Sequence, residues 1–202
     1  MKTPACHFDA ASHSYTINGR PVPSVTSVLG DLIPGWKASD WYLQRGSAVH
    51  AVAALIANGK TFVHDPQIDG QVSALRKFFR ETGVTPLAVE FPVFSERYQY
   101  AGTLDLLAFW ANEKTVIDFK ASLTPSVPYQ LGAYALAYDD SPNSGRTPIR
   151  FGLGVEIQED GNYRLSEVFN LKRYQAEWLA LLTTYNVRRR CGVKETKEEG
   201  EG

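Results

Sequence analysis

Two aspartates and a lysine interrupt runs of residues that otherwise read as buried strand. Asp105 lies in GTLDLLAF and Asp118 in TVIDFK, and Lys120 follows the second aspartate after one residue. A strand alternates its side chains, so Val116, Asp118 and Lys120 point one way while Thr115, Ile117 and Phe119 point the other. Asp105 precedes Asp118 by 13 residues, and the intervening ANEK segment is short and polar enough to turn the chain back. A hairpin therefore brings two carboxylates together beside one ammonium. Carboxylates on apolar strands are costly to bury unless a cation compensates them. Lys120 neutralises one; a hard divalent ion on oxygen ligands neutralises both and recruits Glu90. This is the chemical minimum for metal-assisted phosphodiester cleavage, in which carboxylates hold Mg2+ or Mn2+, the cation lowers the pKa of a water, and the lysine orients that water or stabilises phosphorane charge.

These residues resemble the PD-(D/E)XK nucleases, and within them the RecB-type exonucleases, which include small phage and mitochondrial members. The resemblance rests on GTLDLL, VIDFK and QLGAY, with GSAVH upstream, and spans residues 45 to 160. It implies that Asp105 and Asp118 are the metal-binding acids, Lys120 the catalytic lysine, and Glu90 the acid from an earlier strand. It also implies that His50 joins the metal site, and that Gln130 and Tyr134 are the catalytic-site glutamine and tyrosine of the helix after the lysine. The main-chain carbonyl of Phe119 is a further oxygen ligand in this scheme. Two positions depart from the pattern: Leu104 stands where the family name has proline, and Ala121 follows the lysine where threonine is common, leaving Ser122 as the nearest hydroxyl for a phosphate. The implied fold is α/β with a restriction-endonuclease-like core, a central mixed β-sheet flanked by helices, and an N-terminal β-hairpin. The implied activity is hydrolysis of DNA at ends or in single strands rather than internally.

Bulk properties constrain this picture. With 202 residues, 44% of them hydrophobic, the chain is long enough for one well-packed domain, expected over residues 1–190. A formal net charge of −1 gives no global attraction to polyanions, so DNA binding must use a local basic groove. Cys6 and Cys191 have no metal-ligand spacing and cannot supply the four-cysteine iron-sulfur cluster that some RecB-type relatives carry. The start, MKTPACHFD, has neither a signal-peptide core nor an amphipathic presequence, and no apolar run approaches the ~20 residues of a membrane span. The expected setting is the reducing cytoplasm of a prokaryotic or phage-infected cell.

The positioning elements read as follows. Asn18-Gly19 between β-prone runs marks a type I′ hairpin over residues 8–23. Ser24 as N-cap and Gly30 as stop predict a helix of two turns, and the core follows from residue 39. Ser39 or Asp40 opens a longer helix closed by Gly59, on which Gly46 and Ala53 flank His50 and leave room beside it. A lone histidine on an apolar helix is ordinarily a hydrogen-bonded core residue, and only the resemblance carries His50 to a metal. Arg45 lines the same mouth. Residues 67–81 form an amphipathic helix with Val72, Leu75, Phe78 and Phe79 inward; Arg76, Lys77 and Arg80 make either a DNA path or a solvated face.

A three-strand meander follows over 87–95, 98–109 and 115–120, with Glu90 sharing a face with Ala88 and Pro92. The next helix carries Gln130, Tyr134 and Tyr138 on one face, in the absence of the DxK the wet edge of a packed helix. Strand 149–157 pairs beside the lysine strand after that crossover, and Glu156 is structural. A final helix turns Trp178, Leu181, Leu182 and Tyr185 inward, and residues 191–202 form a disordered tail. Trp41, Tyr129 and Tyr134 are candidates to stack on unpaired bases. Two other readings remain open on the residues: a catalytically silent scaffold of the same fold, and an ordinary α/β domain whose DxK is an exposed salt bridge worth less than ~1 kcal/mol. The complete Asp105, Asp118 and Lys120 set opposes the first, and Asp105 without a counter-ion opposes the second.

Overall fold

The computed structural model describes residues 5–9, 12, 14–33, 40–141 and 147–193, with the side chains of 40–45 left out. The chain opens on three antiparallel strands in order, β1 (Cys6–Asp9), β2 (Ser14–Ile17) and β3 (Arg20–Val22). Asn18 and Gly19 both take positive φ, 51° and 78°, as a type I′ turn between β2 and β3 requires. The expected hairpin is present, and β1 adds a third strand to it.

Helix α1 (Val25–Leu32) starts at the predicted cap: Ser24 Oγ accepts from Ser27 N and Ser24 N donates to Ser27 Oγ, both at 3.0 Å. It does not stop at Gly30. Val25, Val28 and Leu29 are buried, and their packing carries the helix one further half-turn. Helix α2 (Asp40–Ala57) ends as predicted, with Gly59 at φ 64° and bonds from Gly59 N to Ile56 O and Lys60 N to Leu55 O. A 3-10 turn at Pro66–Ile68 then leads into α3 (Asp69–Thr82), which Gly83 closes in the left-handed region.

The main sheet is the expected mixed one. Strands β4 (Thr85–Ser95), β5 (Tyr100–Trp110) and β6 (Glu113–Lys120) form the antiparallel meander; helix α4 (Val127–Asp140) crosses over to β7 (Phe151–Ile157), parallel to β6. Strand β8 (Tyr163–Leu165) pairs antiparallel on the far side, and β9 (Phe169–Asn170) pairs with the start of β7 before α5 (Leu171–Arg190). The order is β4-β5-β6-β7-β8, so the strand carrying Asp118 and Lys120 is central and β4 is an edge.

Helices cover both faces. On one, α1, α4 and α5 pack around Trp178, Tyr100 and Leu131; on the other, α2 and α3 pack Val52, Leu75 and Phe78 onto Leu106, Ile117 and Phe119. The alternation along β6 is as read from the sequence, with Val116 in the first core and Ile117 and Phe119 in the second. No described helix is long and apolar enough to cross a membrane. Cys191, Gly192 and Val193 close the last turn of α5, and the remaining tail, 194–202, lies outside the described residues.

Helices α4 and α5 meet at Gly132, where an added Cβ would lie 2.9 Å from the main-chain carbon of Tyr174. Backbone cannot swing aside as a side chain can, so Gly132→Ala should destabilise the fold by about 1–3 kcal/mol, measured by urea denaturation.

Candidate active site

The site forms where two strands part. Backbone pairing of β5 with β6 runs from Trp110–Glu113 to Leu106–Ile117. At the next position a side chain takes over: Asp105 Oδ2 accepts a hydrogen bond from Phe119 N at 2.8 Å. In an extended strand a residue's carbonyl leaves on the same edge as its N–H, so the Phe119 oxygen also faces Asp105.

The same rung distorts β4. Val89 pairs with Leu106 and Phe91 with Leu104, which sets Glu90 opposite Asp105. Glu90 has φ 45°, the left-handed region that a residue with a Cβ rarely enters. Strict alternation would put Ala88, Glu90 and Pro92 on one face. Instead Ala88, Phe91 and Val93 pack on the α4 side and Val89 on the α3 side, and in β5 Leu104 faces α4 while Leu106 faces α3. Both strands therefore change phase at Glu90 and Asp105, and the expected face-sharing of Glu90 does not hold.

His50 enters from α2. Its Nδ1 lies 3.1 Å from Asp105 Oδ1 and 3.9 Å from Glu90 Oε1, and ligand atoms of His50, Glu90 and Asp105 all fall within 4.8 Å of one another. Asp118, fully buried, turns to other partners. Its Oδ1 accepts from Gln130 Nε2 at 3.0 Å; its Oδ2 sits 2.8 Å from Lys120 Nζ but receives no well-directed hydrogen bond. Gln130 Nε2 also donates to the Tyr134 hydroxyl at 2.9 Å. The Tyr134 ring rests on Gly102, where a Cβ would come within 2.6 Å of it.

Burial and charge pull these groups in opposite directions. Desolvation pushes the Asp118 carboxyl up to about 6, helped by the charge of Asp105 and opposed by Lys120. Burial would raise Asp105 as well, but His50, Lys120 and the Phe119 N–H hold it below its ordinary value. His50 and Lys120 are both raised, since neighbouring carboxylates outweigh the burial that disfavours their charged forms. Glu90 is raised by burial first and by Asp105 next. Three carboxylates thus face one ammonium and one imidazole. A hard cation fits that donor set, because it removes the repulsion among carboxylates that one ammonium and one imidazole leave uncompensated.

The predicted residues Asp105, Asp118, Lys120, Gln130, Tyr134, His50, Glu90 and Phe119 meet in one place. Gln130 and Tyr134 are 6% and 4% exposed, so they are not a wet helix edge, and the buried Tyr134 ring has no face free for a base. Tyr129 packs edge-on against Tyr174, 5.5 Å between ring centres. Arg76 lies over Phe62, Lys77 bonds Asn162 and Arg80 pairs with Glu81, each a local engagement. The side chains of Arg45 and Trp41 lie outside the described residues. Glu156 is structural, as expected: it pairs with Arg164 at 2.6 Å and accepts from Leu123 N.

Ser122 lines a cleft of about 500 Å3 together with His50, Lys120, Phe119, Ile157, Gln71, Gln158 and Glu159. The two glutamines were not foreseen, since each occupies an unremarkable polar position in its run. Nor was Tyr15, whose hydroxyl bonds Thr103 Oγ1 at 2.8 Å and ties the N-terminal sheet to β5 two residues before Asp105.

No protein-family model and no curated protein matches this chain. Among solved structures it is similar to one described as LHK-Exo in complex with dAMP, at 12% identity over 85% of this chain and 93% of that one, with a TM-score of 0.42. A likeness of that size carries no argument for the site, which stands on its own geometry.

Asp118 generates a pH dependence with a definite sign. Its carboxyl titrates at about 6 in the fold against an ordinary 3.8. Between those values the folded protein keeps a proton that the unfolded chain has released, so this group withdraws stability as pH rises through the window. In chelator, Asp118→Asn should therefore gain on wild type from about pH 4 upward, by about 3 kcal/mol at neutrality. Denaturation curves across the window check this; a wild-type-to-variant difference that stays flat contradicts it.

Proposed function

We propose that this chain is a metal-dependent DNA nuclease of the PD-(D/E)XK kind, with a restriction-endonuclease-like core forming one domain over residues 1–190. The observation that carries the reading is the convergence of His50, Glu90 and Asp105 within 4.8 Å beside the Asp118–Lys120 ion pair. Asp105, Glu90 and His50 would hold the cation, with Asp118 and the Phe119 carbonyl as the adjoining oxygens. When bound, Mg2+ or Mn2+ supplies a Lewis acid for a phosphoryl oxygen and lowers the pKa of a water.

The protein's own groups do the rest. Lys120, fixed at Asp118 and still a quarter exposed, presents positive charge to the cleft, where it offsets the charge that builds on a phosphorus under attack. Gln130 orients Asp118, and Tyr134 accepts from Gln130 so that its amide cannot turn away. His50 in the metal-free protein donates to Asp105, and must give up that proton to offer Nδ1 as a ligand. Cleavage at DNA ends or in single strands, and a reducing cytoplasm in which Cys6 and Cys191 stay as free thiols, belong to the same reading.

The test is a titration of the full-length protein with Mg2+ or Mn2+, following both melting temperature and degradation of end-labelled linear DNA against covalently closed circles. A rise in melting temperature with release of mononucleotides from linear DNA is expected. Cation binding without cleavage would leave a silent scaffold, and neither response would end the metal reading. Lys120→Ala should keep the thermal shift and lose roughly two to three orders of magnitude in rate. Gln130→Ala should be milder, about one order; a wild-type rate would make that amide purely structural.

A further inference from the structure

One polar side chain in the cleft has nothing to do in the free protein. Gln71, in the first turn of α3, is 7% exposed and lines the cleft, and no hydrogen bond joins its amide to another described residue. Its amide therefore faces the cleft and has no group of the described protein to bond, so a ligand entering there meets a donor and an acceptor side by side. The remaining lining is divided by chemistry. His50 and Lys120 bring positive charge and Glu159 a carboxylate; Val49, Phe119 and Ile157 add apolar atoms; Gln71 and Gln158 supply amides. The two glutamines flank a close approach of chain to chain, since a Cβ on Gly70 would run into the main-chain oxygen of Glu159.

We propose that this cleft is a subsite for one nucleoside 5′-phosphate unit of the strand being cut, with Gln71 bonded to the edge of its base. The inference rests on the nuclease reading for what sits against Lys120 and His50. A phosphodiester drawn to Lys120 and His50 brings a flat heterocycle within one nucleotide's reach. Val49 and the edges of Phe119 and Ile157 give that ring apolar contact, while the Gln71 amide offers a donor and an acceptor side by side, as the edge of a base requires. The volume, about 500 Å3, lies within the ~300–1,000 Å3 usual for small-ligand sites.

The experiment is equilibrium binding to the full-length protein, in chelator and again with calcium, using the four 2′-deoxynucleoside 5′-monophosphates and, as the baseless control, deoxyribose 5-phosphate. At least one nucleotide should bind about tenfold more tightly than the control. Gln71→Met, nearly isosteric and without hydrogen-bonding atoms, should abolish most of that difference. It should leave deoxyribose 5-phosphate binding unchanged and the melting temperature no lower than in wild type.

A wild-type protein that binds the control as well as every nucleotide overturns the subsite without recourse to any variant. So does a Gln71→Met protein with full base-dependent binding, or one whose melting temperature falls while nucleotide preference survives, which would make the amide structural. The nuclease reading fails separately. Base-dependent binding without DNA degradation would keep the subsite and discard the enzyme, whereas degradation without base-dependent binding would do the reverse.

Discussion

The hydrogen bond from Phe119 N to Asp105 Oδ2 is the constraint on which the site depends. A carboxylate stands where the sheet would otherwise continue with a carbonyl, so β5 and β6 can separate without stranding a buried N–H, a loss of about 1–3 kcal/mol if nothing replaced it. The substitution also divides the labour of one side chain. One oxygen of Asp105 is committed to the fold, and the other is left facing His50 and Glu90. Asp118, on the neighbouring strand, is buried and takes Gln130 and Lys120 as the partners of its carboxylate.

The electrostatics follow from that geometry. The protein as a whole is close to neutral, yet this corner concentrates carboxylates with too few counter-charges. Each basic group there is drawn toward its protonated form by the surrounding carboxylates, while burial first and the charge of Asp105 next hold Asp118 back from its ionised form. The strained backbone of Glu90 belongs to this balance. Without the left-handed turn at that residue, its carboxylate would follow the regular pleat of an edge strand, and β4 would contribute no third acid opposite Asp105.

Much of this was legible in the residues because the relevant rules are local. Alternation places Asp118 and Lys120 on one face regardless of what surrounds them, Asn18-Gly19 specifies its turn, and Ser24 specifies its cap. What could not be read depends on contacts between distant segments. Gly30 fails to end α1 because buried Val28 and Leu29 hold the helix past it. Gln130 and Tyr134 look like a polar edge, but α4 is enclosed by the sheet and by α5, so the whole of that turn is inside. The phase change at Glu90 and Asp105 is invisible to any argument from regular periodicity, since it is a departure from the period itself. Gln71 is hidden for the opposite reason: a polar residue on an amphipathic helix fits expectation, and only the cleft beside it gives it meaning.

The contact at Gly70 bears on how this molecule can vary. Where two stretches of main chain touch with no side chain between them, the aperture of the neighbouring hollow is set by the route of the polypeptide and not by rotamers. Residues along the walls can change the texture of the hollow, but its span can alter only by sliding a whole helix against the loop between β7 and β8. The opening then behaves as a fixed gauge, and discrimination among occupants falls to the few groups that project into it.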